Sequence, residues 1–123
     1  MIIGLGIDVV ELARMERTWQ RFGIRFAERI LHPEEINGLR APEARYLASR
    51  FAVKEAAVKA LGTGFAHGLA PSDILVRHTE GGKPQLVCHG PAEELLRKRG
   101  VSQTFLSISH ERSVAVAVVI LEG

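Results

Sequence analysis

Glu55 and Lys59 stand one helical turn apart in Arg50-Phe51-Ala52-Val53-Lys54-Glu55-Ala56-Ala57-Val58-Lys59-Ala60-Leu61-Gly62, a segment made largely of strong helix formers. At about 3.6 residues per turn, Leu47, Phe51, Val58 and Leu61 form one apolar arc, and Ala52, Val53, Ala56, Ala57 and Ala60 cover most of the rest. Glu55, Lys59 and Gly62 are left on a narrow edge beside that arc. An ion pair between Glu55 and Lys59 is expected there, partly withdrawn from water and so electrostatically strong. A carboxylate with a lysine one turn on suits a site where a metal meets a phosphate. Asp8 offers a second carboxylate from a distant part of the chain. It shares one face of a predicted strand with Gly4 and Gly6, where missing side chains let a ligand or a neighbouring backbone come close. Two carboxylates, a lysine and the glycine-rich loop Thr63-Gly64-Phe65-Ala66-His67-Gly68 together suit Mg²⁺ shared with phosphate oxygens. Each acid also has an ordinary alternative: Asp8 as the N-cap of the next helix, Glu55 as a plain partner for Lys59.

The remaining polar groups sort by spacing. His110 follows Leu106 and Ile108 at strand period. It either closes a core-facing strand as a hydrogen-bonded histidine or protrudes beside a tight turn as a donor to phosphate. Arg14, Arg17 and Arg21 share a helix face and continue into Arg25 and Arg29, with only Glu16 and Glu28 to offset them. This is the wet face of an amphipathic helix or a docking face for an acidic partner. No helix-turn-helix, zinc finger or interleaved aromatic platform accompanies the arginines, so nucleic acid is not the expected partner. His32, His67, His78 and His89 lack metal-ligand spacing with one another and with Cys88, which argues against zinc. Cys88 is the only cysteine; it cannot form an intrachain disulfide and is expected to pack in a strand. Ser107 and Ser109 belong to no recognisable nucleophile motif. Lys54 falls inside the apolar arc, where it must snorkel or find a partner, within the chain or across a subunit interface.

The elements that position these groups follow from periodicity. Ile2–Val10 reads as a strand, Val10–Phe22 as a helix with Leu12, Met15, Trp19 and Phe22 on its buried side, and Pro33 starts a short helix reaching about Arg40. The long helix runs from about Pro42 to Leu61 and stops at Gly62, which can take the left-handed conformation. A hairpin of Ile74–Arg77 with Pro84–Cys88, a helix over Pro91–Arg99 and a last hairpin of Thr104–His110 with Ser113–Leu121 complete the chain. The pattern predicts an α+β fold, a mainly antiparallel sheet packed against helices, in a single domain spanning 1–123. With 46% hydrophobic and 24% charged residues, no bilayer-length apolar run and no signal-peptide pattern, the chain is expected in the cytoplasm, away from membranes.

Taken together, Gly4-Leu5-Gly6-Ile7-Asp8, Arg25-Phe26-Ala27-Glu28-Arg29-Ile30-Leu31, the Arg50–Gly62 helix and Ser107-Ile108-Ser109-His110 resemble, in order and spacing, the holo-acyl-carrier-protein synthases. These form the small class of 4'-phosphopantetheinyl transferases, and the resemblance covers nearly the whole chain. It implies transfer of the phosphopantetheine arm of coenzyme A to a serine of apo acyl carrier protein, releasing adenosine 3',5'-bisphosphate, in support of fatty acid biosynthesis. It implies that Asp8 and Glu55 hold Mg²⁺, that Lys59 contacts phosphate, and that Glu55 takes the serine proton. Gly62 and Gly64 then let the loop approach the pantetheine or diphosphate, while Arg45, Arg50 and His110 meet the nucleotide end. Arg14, Met15, Arg21, Phe22, Arg25 and Phe26 face the acidic carrier protein. A homotrimer with active sites between subunits is implied in the same way. The rival readings are a metal-dependent phosphodiesterase or nuclease, and a non-catalytic module that grips an acidic protein through its arginines.

Overall fold

The structure, a computed structural model describing residues 1–123, builds in chain order β1 (Ile2–Glu11), α1 (Leu12–Phe22), α2 (Ile24–Ile30), α3 (Pro33–Asn37) and α4 (Glu43–Leu61). A single 3-10 turn (Pro71–Asp73) leads into β2 (Ile74–His78), β3 (Pro84–Cys88), α5 (Gly90–Lys98), β4 (Gln103–His110) and β5 (Val114–Glu122). β5 lies between β1 and β4, β2 pairs only with β3, and every pairing is antiparallel. The α+β class is as expected, with two sheets. α2 has no counterpart among the sequence expectations. In a seven-residue segment, Ala27 and Ile30 give too short an apolar repeat to reveal a helix, and their burial in the core supplies what local propensity does not.

The docking of α4 on β1 explains the glycines. A Cβ on Gly4 would overlap the Ala60 carbonyl oxygen, and one on Gly6 the Ala56 carbonyl oxygen. The close approach open to a ligand or a backbone is therefore taken by the backbone of α4. Small residues continue the contact on both sides: Ala52 and Ala56 on the helix, Ala115 and Ala117 on β5, all fully buried. The other face of β1 is apolar and open, with Leu5, Ile7 and Val9 each more than half exposed. Strand register sets Leu5 beside Ile120, Ile7 beside Val118 and Val9 beside Val116, and Phe105 of β4 extends the patch from the far side of Ile120. An apolar sheet face of this kind is a surface awaiting a cover.

Lys54 is held within its own chain, not across a subunit interface. It is 0% exposed, and its Nζ donates to Glu35 Oε1 at 2.7 Å, to the Pro71 carbonyl at 3.0 Å and to the Ile74 carbonyl. All three ammonium donors are thereby used. Glu35 accepts in addition from the backbone N–H groups of His32 and Val76, each at 3.1 Å. One ion pair thus ties α4 to α3, β2 and the turn before β2. Burial pushes the Lys54 ammonium below the usual lysine range, while the Glu35 charge and hydrogen bond oppose that shift. Removing one partner leaves the other buried and unpaired. Lys54→Met is expected to lower the free energy of unfolding by about 3–5 kcal/mol in urea denaturation; an unchanged unfolding midpoint and slope would show that the pair does not hold these elements together.

Candidate active site

Asp8 sits on the inward face of β1, opposite Ala117, and points toward α4. It is no N-cap; that position in α1 belongs to Glu11, whose side chain makes no capping bond. Lys59 Nζ donates to Asp8 Oδ1 at 2.9 Å and to the Ile7 carbonyl at 3.0 Å. The pairing expected between Glu55 and Lys59 is replaced by this cross-element bond, because the tight docking of α4 brings the β1 backbone within reach of the lysine. Two of the three ammonium donors are used, and the side chain is 53% exposed, so Lys59 keeps donor capacity toward the solvent side.

Glu55, one turn before Lys59, lines the same cavity as Asp8, a space of about 330 Å³ walled also by Arg14, Met15, Phe26 and Phe51. Burial raises the Glu55 carboxyl above its ordinary value, and the charge of Asp8 raises it further against the opposing effect of Lys59. The two acids therefore sense each other across one cavity. Two hard oxygen donors facing a common space fit a divalent cation such as Mg²⁺, which takes its other ligands from phosphate and water. No cluster of three or more His, Cys, Asp or Glu side chains exists to form a zinc-type cage.

A second cleft, of about 200 Å³, gathers Arg45, Arg50 and His110 with Arg40, Tyr46 and Ser49. His110 shares the inner face of the sheet with Leu106 and Ile108 but lies at the strand end, where it is exposed beside α4 rather than packed in the core. Arg40 escapes sequence reasoning, since it belongs to no motif; its proximity to Arg45 was the only signal. Gly62 and Gly64 line neither cleft. They follow α4 with φ of 77° and 60°, and the Gly62 N–H closes the helix on the Lys59 and Val58 carbonyls, as a glycine stop requires. Arg99 of α5 donates to the Leu61 carbonyl and secures the same helix end.

The arginine face is real: Arg14, Arg17, Arg21, Arg25 and Arg29 are all exposed. Phe22, expected on the buried side of α1, is instead exposed at its last position among them, with the Arg21 guanidinium 5.2 Å from its ring centroid. Met15 lies on the buried side of α1, as its helical period predicts, and not on the surface that the resemblance to the family implies for it. Only 5% exposed, it belongs to the core and contributes a wall of the carboxylate cavity, a role it shares with half-buried Phe26.

Comparison with known proteins gives one answer at every level. Residues 4–119 match the family model described as the 4'-phosphopantetheinyl transferase superfamily. The holo-[acyl-carrier-protein] synthase of Desulfovibrio desulfuricans is 57% identical over 123 residues, covering 100% of this chain and 99% of the relative. Among solved structures, the holo-[acyl-carrier-protein] synthase of Neisseria meningitidis superposes with a TM-score of 0.92 at 40% identity, covering all of both chains. That of Helicobacter pylori, in complex with coenzyme A, gives 0.85 at 33% identity over 96% of this chain and 99% of its own.

Cys88, the one thiol, lines neither cleft, and burial pushes it up to about 12. At pH 8 roughly one molecule in ten thousand carries the thiolate that a nucleophile needs. Native protein is expected to react with Ellman's reagent at least about 100-fold more slowly than the unfolded chain; equal rates would contradict the burial that raises this group.

Proposed function

The chain belongs to the 4'-phosphopantetheinyl transferase superfamily, and from that premise we propose how its clefts divide the work. Its activity is that of a holo-[acyl-carrier-protein] synthase: it moves 4'-phosphopantetheine from coenzyme A to a serine of apo acyl carrier protein. The observation that carries the assignment of roles is the meeting of Asp8, Glu55 and Lys59 where α4 crosses β1. Asp8 and Glu55 hold Mg²⁺, in keeping with their facing carboxylates. When bound, the metal neutralises charge on the coenzyme A diphosphate.

The chain's own residues supply the rest. Lys59, anchored by Asp8 and the Ile7 carbonyl, turns its remaining donor to a phosphate oxygen as negative charge builds on the departing bisphosphate. The serine oxygen forms a bond to the β-phosphorus of coenzyme A as the bond between that phosphorus and the bridging oxygen breaks. Adenosine 3',5'-bisphosphate leaves with the bridging oxygen. Glu55, which faces the cavity beside Asp8, takes the serine hydroxyl proton. Gly62 and Gly64, bare of side chains, let the loop after α4 lie against the pantetheine or diphosphate. Arg45, Arg50 and His110 bind the nucleotide end.

Carrier protein approaches over the arginine face, where Arg14, Arg21 and Arg25 steer an acidic helix and Phe22 and Phe26 add apolar contact. Arg14 and Phe26 border the carboxylate cavity itself, so a carrier seated there has its serine close to Glu55. Within one chain the nucleotide-binding cations and the carboxylates line different clefts. The exposed sheet face of Leu5, Ile7, Val9 and Phe105 offers the means of joining them: three copies associate, and the cations of one complete the site of the next. We place this single-domain enzyme in the cytoplasm, serving fatty acid synthesis; its free thiol suits a reducing compartment, and no helix is long and apolar enough to cross a membrane. No observation favours the phosphodiesterase reading.

Incubation with coenzyme A, Mg²⁺ and apo acyl carrier protein is expected to add one phosphopantetheine to the carrier, read by intact-protein mass. Asp8→Ala, Glu55→Ala and Lys59→Ala should each cut turnover at least about 100-fold, with thermal melting retained for the folded variants. Chelation of Mg²⁺ should abolish turnover, and full activity in excess chelator removes the metal from the mechanism. Leu5→Arg should convert a trimer into monomers in sedimentation equilibrium and lower activity with it; wild-type protein sedimenting as a monomer would refute the shared site.

A further inference from the structure

Arg50 is the most constrained cation of the second cleft. Its guanidinium carbon lies 4.3 Å from the centroid of the Tyr46 ring, one helical turn earlier on α4. One terminal nitrogen donates to Ser49 Oγ at 3.1 Å, and Ser49 Oγ donates to the Tyr46 carbonyl at 2.9 Å. Arg50 Nε is buried without a hydrogen-bond partner. Such a donor is costly to leave unmatched, and an anion lodged in the cleft is the kind of group that would satisfy it.

The ring beneath the guanidinium is itself anchored. Tyr46 Oη donates to the Glu35 carbonyl oxygen at 2.6 Å, and the Glu35 carboxylate is bound by Lys54. The aromatic platform is therefore tied to the buried ion pair that joins α4 to α3 and β2. A free arginine side chain samples many rotamers and must be immobilised when a ligand binds. Stacked on a fixed ring, its plane is set beforehand.

We propose that Tyr46 is a positioning residue: it holds Arg50 stacked and ready for the phosphate-bearing nucleotide end of coenzyme A, without touching the substrate's reacting atoms. The proposal rests on the assignment of Arg50 to that end. Because the nucleotide is remote from the transferred phosphorus, the effect belongs to coenzyme A binding rather than to the chemical step.

The test is steady-state kinetics with coenzyme A varied at saturating apo carrier protein, for Arg50→Ala, Tyr46→Leu, Tyr46→Phe and the double variant Tyr46→Leu/Arg50→Ala. Tyr46→Leu is expected to raise KM for coenzyme A about tenfold with kcat changed less than about twofold. Tyr46→Phe keeps the ring and loses only the anchor, so its KM should rise no more than about threefold. Introduced into Arg50→Ala, the Tyr46→Leu change should add nothing, since the residue acts only through the guanidinium. Multiplying effects in the double variant, or an unchanged KM in Tyr46→Leu beside a raised one in Arg50→Ala, overturns the positioning role. An unchanged KM in Arg50→Ala overturns instead the assignment of Arg50 to the nucleotide, and the proposal falls with it. Thermal melting identifies folded variants; should Tyr46→Leu not fold, Tyr46→Met, unbranched and adaptable, carries the same comparison.

Discussion

A side chain at Gly4 or Gly6 would overlap a carbonyl oxygen of α4, so helix and strand meet backbone to backbone. Everything at the carboxylate cavity depends on that separation. Lys59 can reach the Ile7 carbonyl and Asp8 only because β1 lies directly beneath it. The same contact turns the ordinary logic of an amphipathic strand around. The face thinned by Gly4 and Gly6 is the one packed against α4, and the face carrying Leu5, Ile7 and Val9 is open. Close packing is thus obtained by removing atoms from β1, and the apolar surface of the strand is left for another use.

α4 must also be fixed against rotation, since a turn of a few tens of degrees would carry Glu55 out of its cavity. Lys54 supplies the stop. It is adjacent to Glu55 in sequence, yet it points into the protein, where Glu35 and two backbone carbonyls receive it. Neighbouring charges on one helix thus serve opposite purposes, one buried to hold the helix and one facing the cavity to act. Because Glu35 also anchors Tyr46 through its carbonyl oxygen, the orientation of α4 and the placement of Arg50 share one support.

Much of this was legible in the residues. The 3.6-residue pattern gave α4 and its glycine stop, and the sparse face of β1 signalled a close approach. What sequence spacing could not give was the partner in each case. Glu55 and Lys59 are neighbours on a helix surface, and helical geometry alone pairs them; Asp8 competes for the lysine only once the sheet is in place. Lys54 announced a need for a partner, but Glu35 read as a helix-start acid among others, nineteen residues away. α2 was hidden because seven residues hold too little periodicity, and Phe22, placed by helix period on the buried side of α1 with Met15, lies exposed at the helix end while Met15 is in the core. The residue types of the carboxylate cavity were readable. Their cross-element bonds belong to the tertiary structure.

The buried bond between Lys54 and Glu35 also limits how this sequence can change over time. A substitution at either position alone strands a charge, together with the backbone groups it serves at Pro71, Ile74, His32 and Val76. Drift at one site has to wait for a matching change at the other, and both must pass through a poorly folding intermediate. Two positions remote in the chain therefore act as one energetic unit, whereas each exposed arginine of α1 and α2 can change without stranding a buried partner.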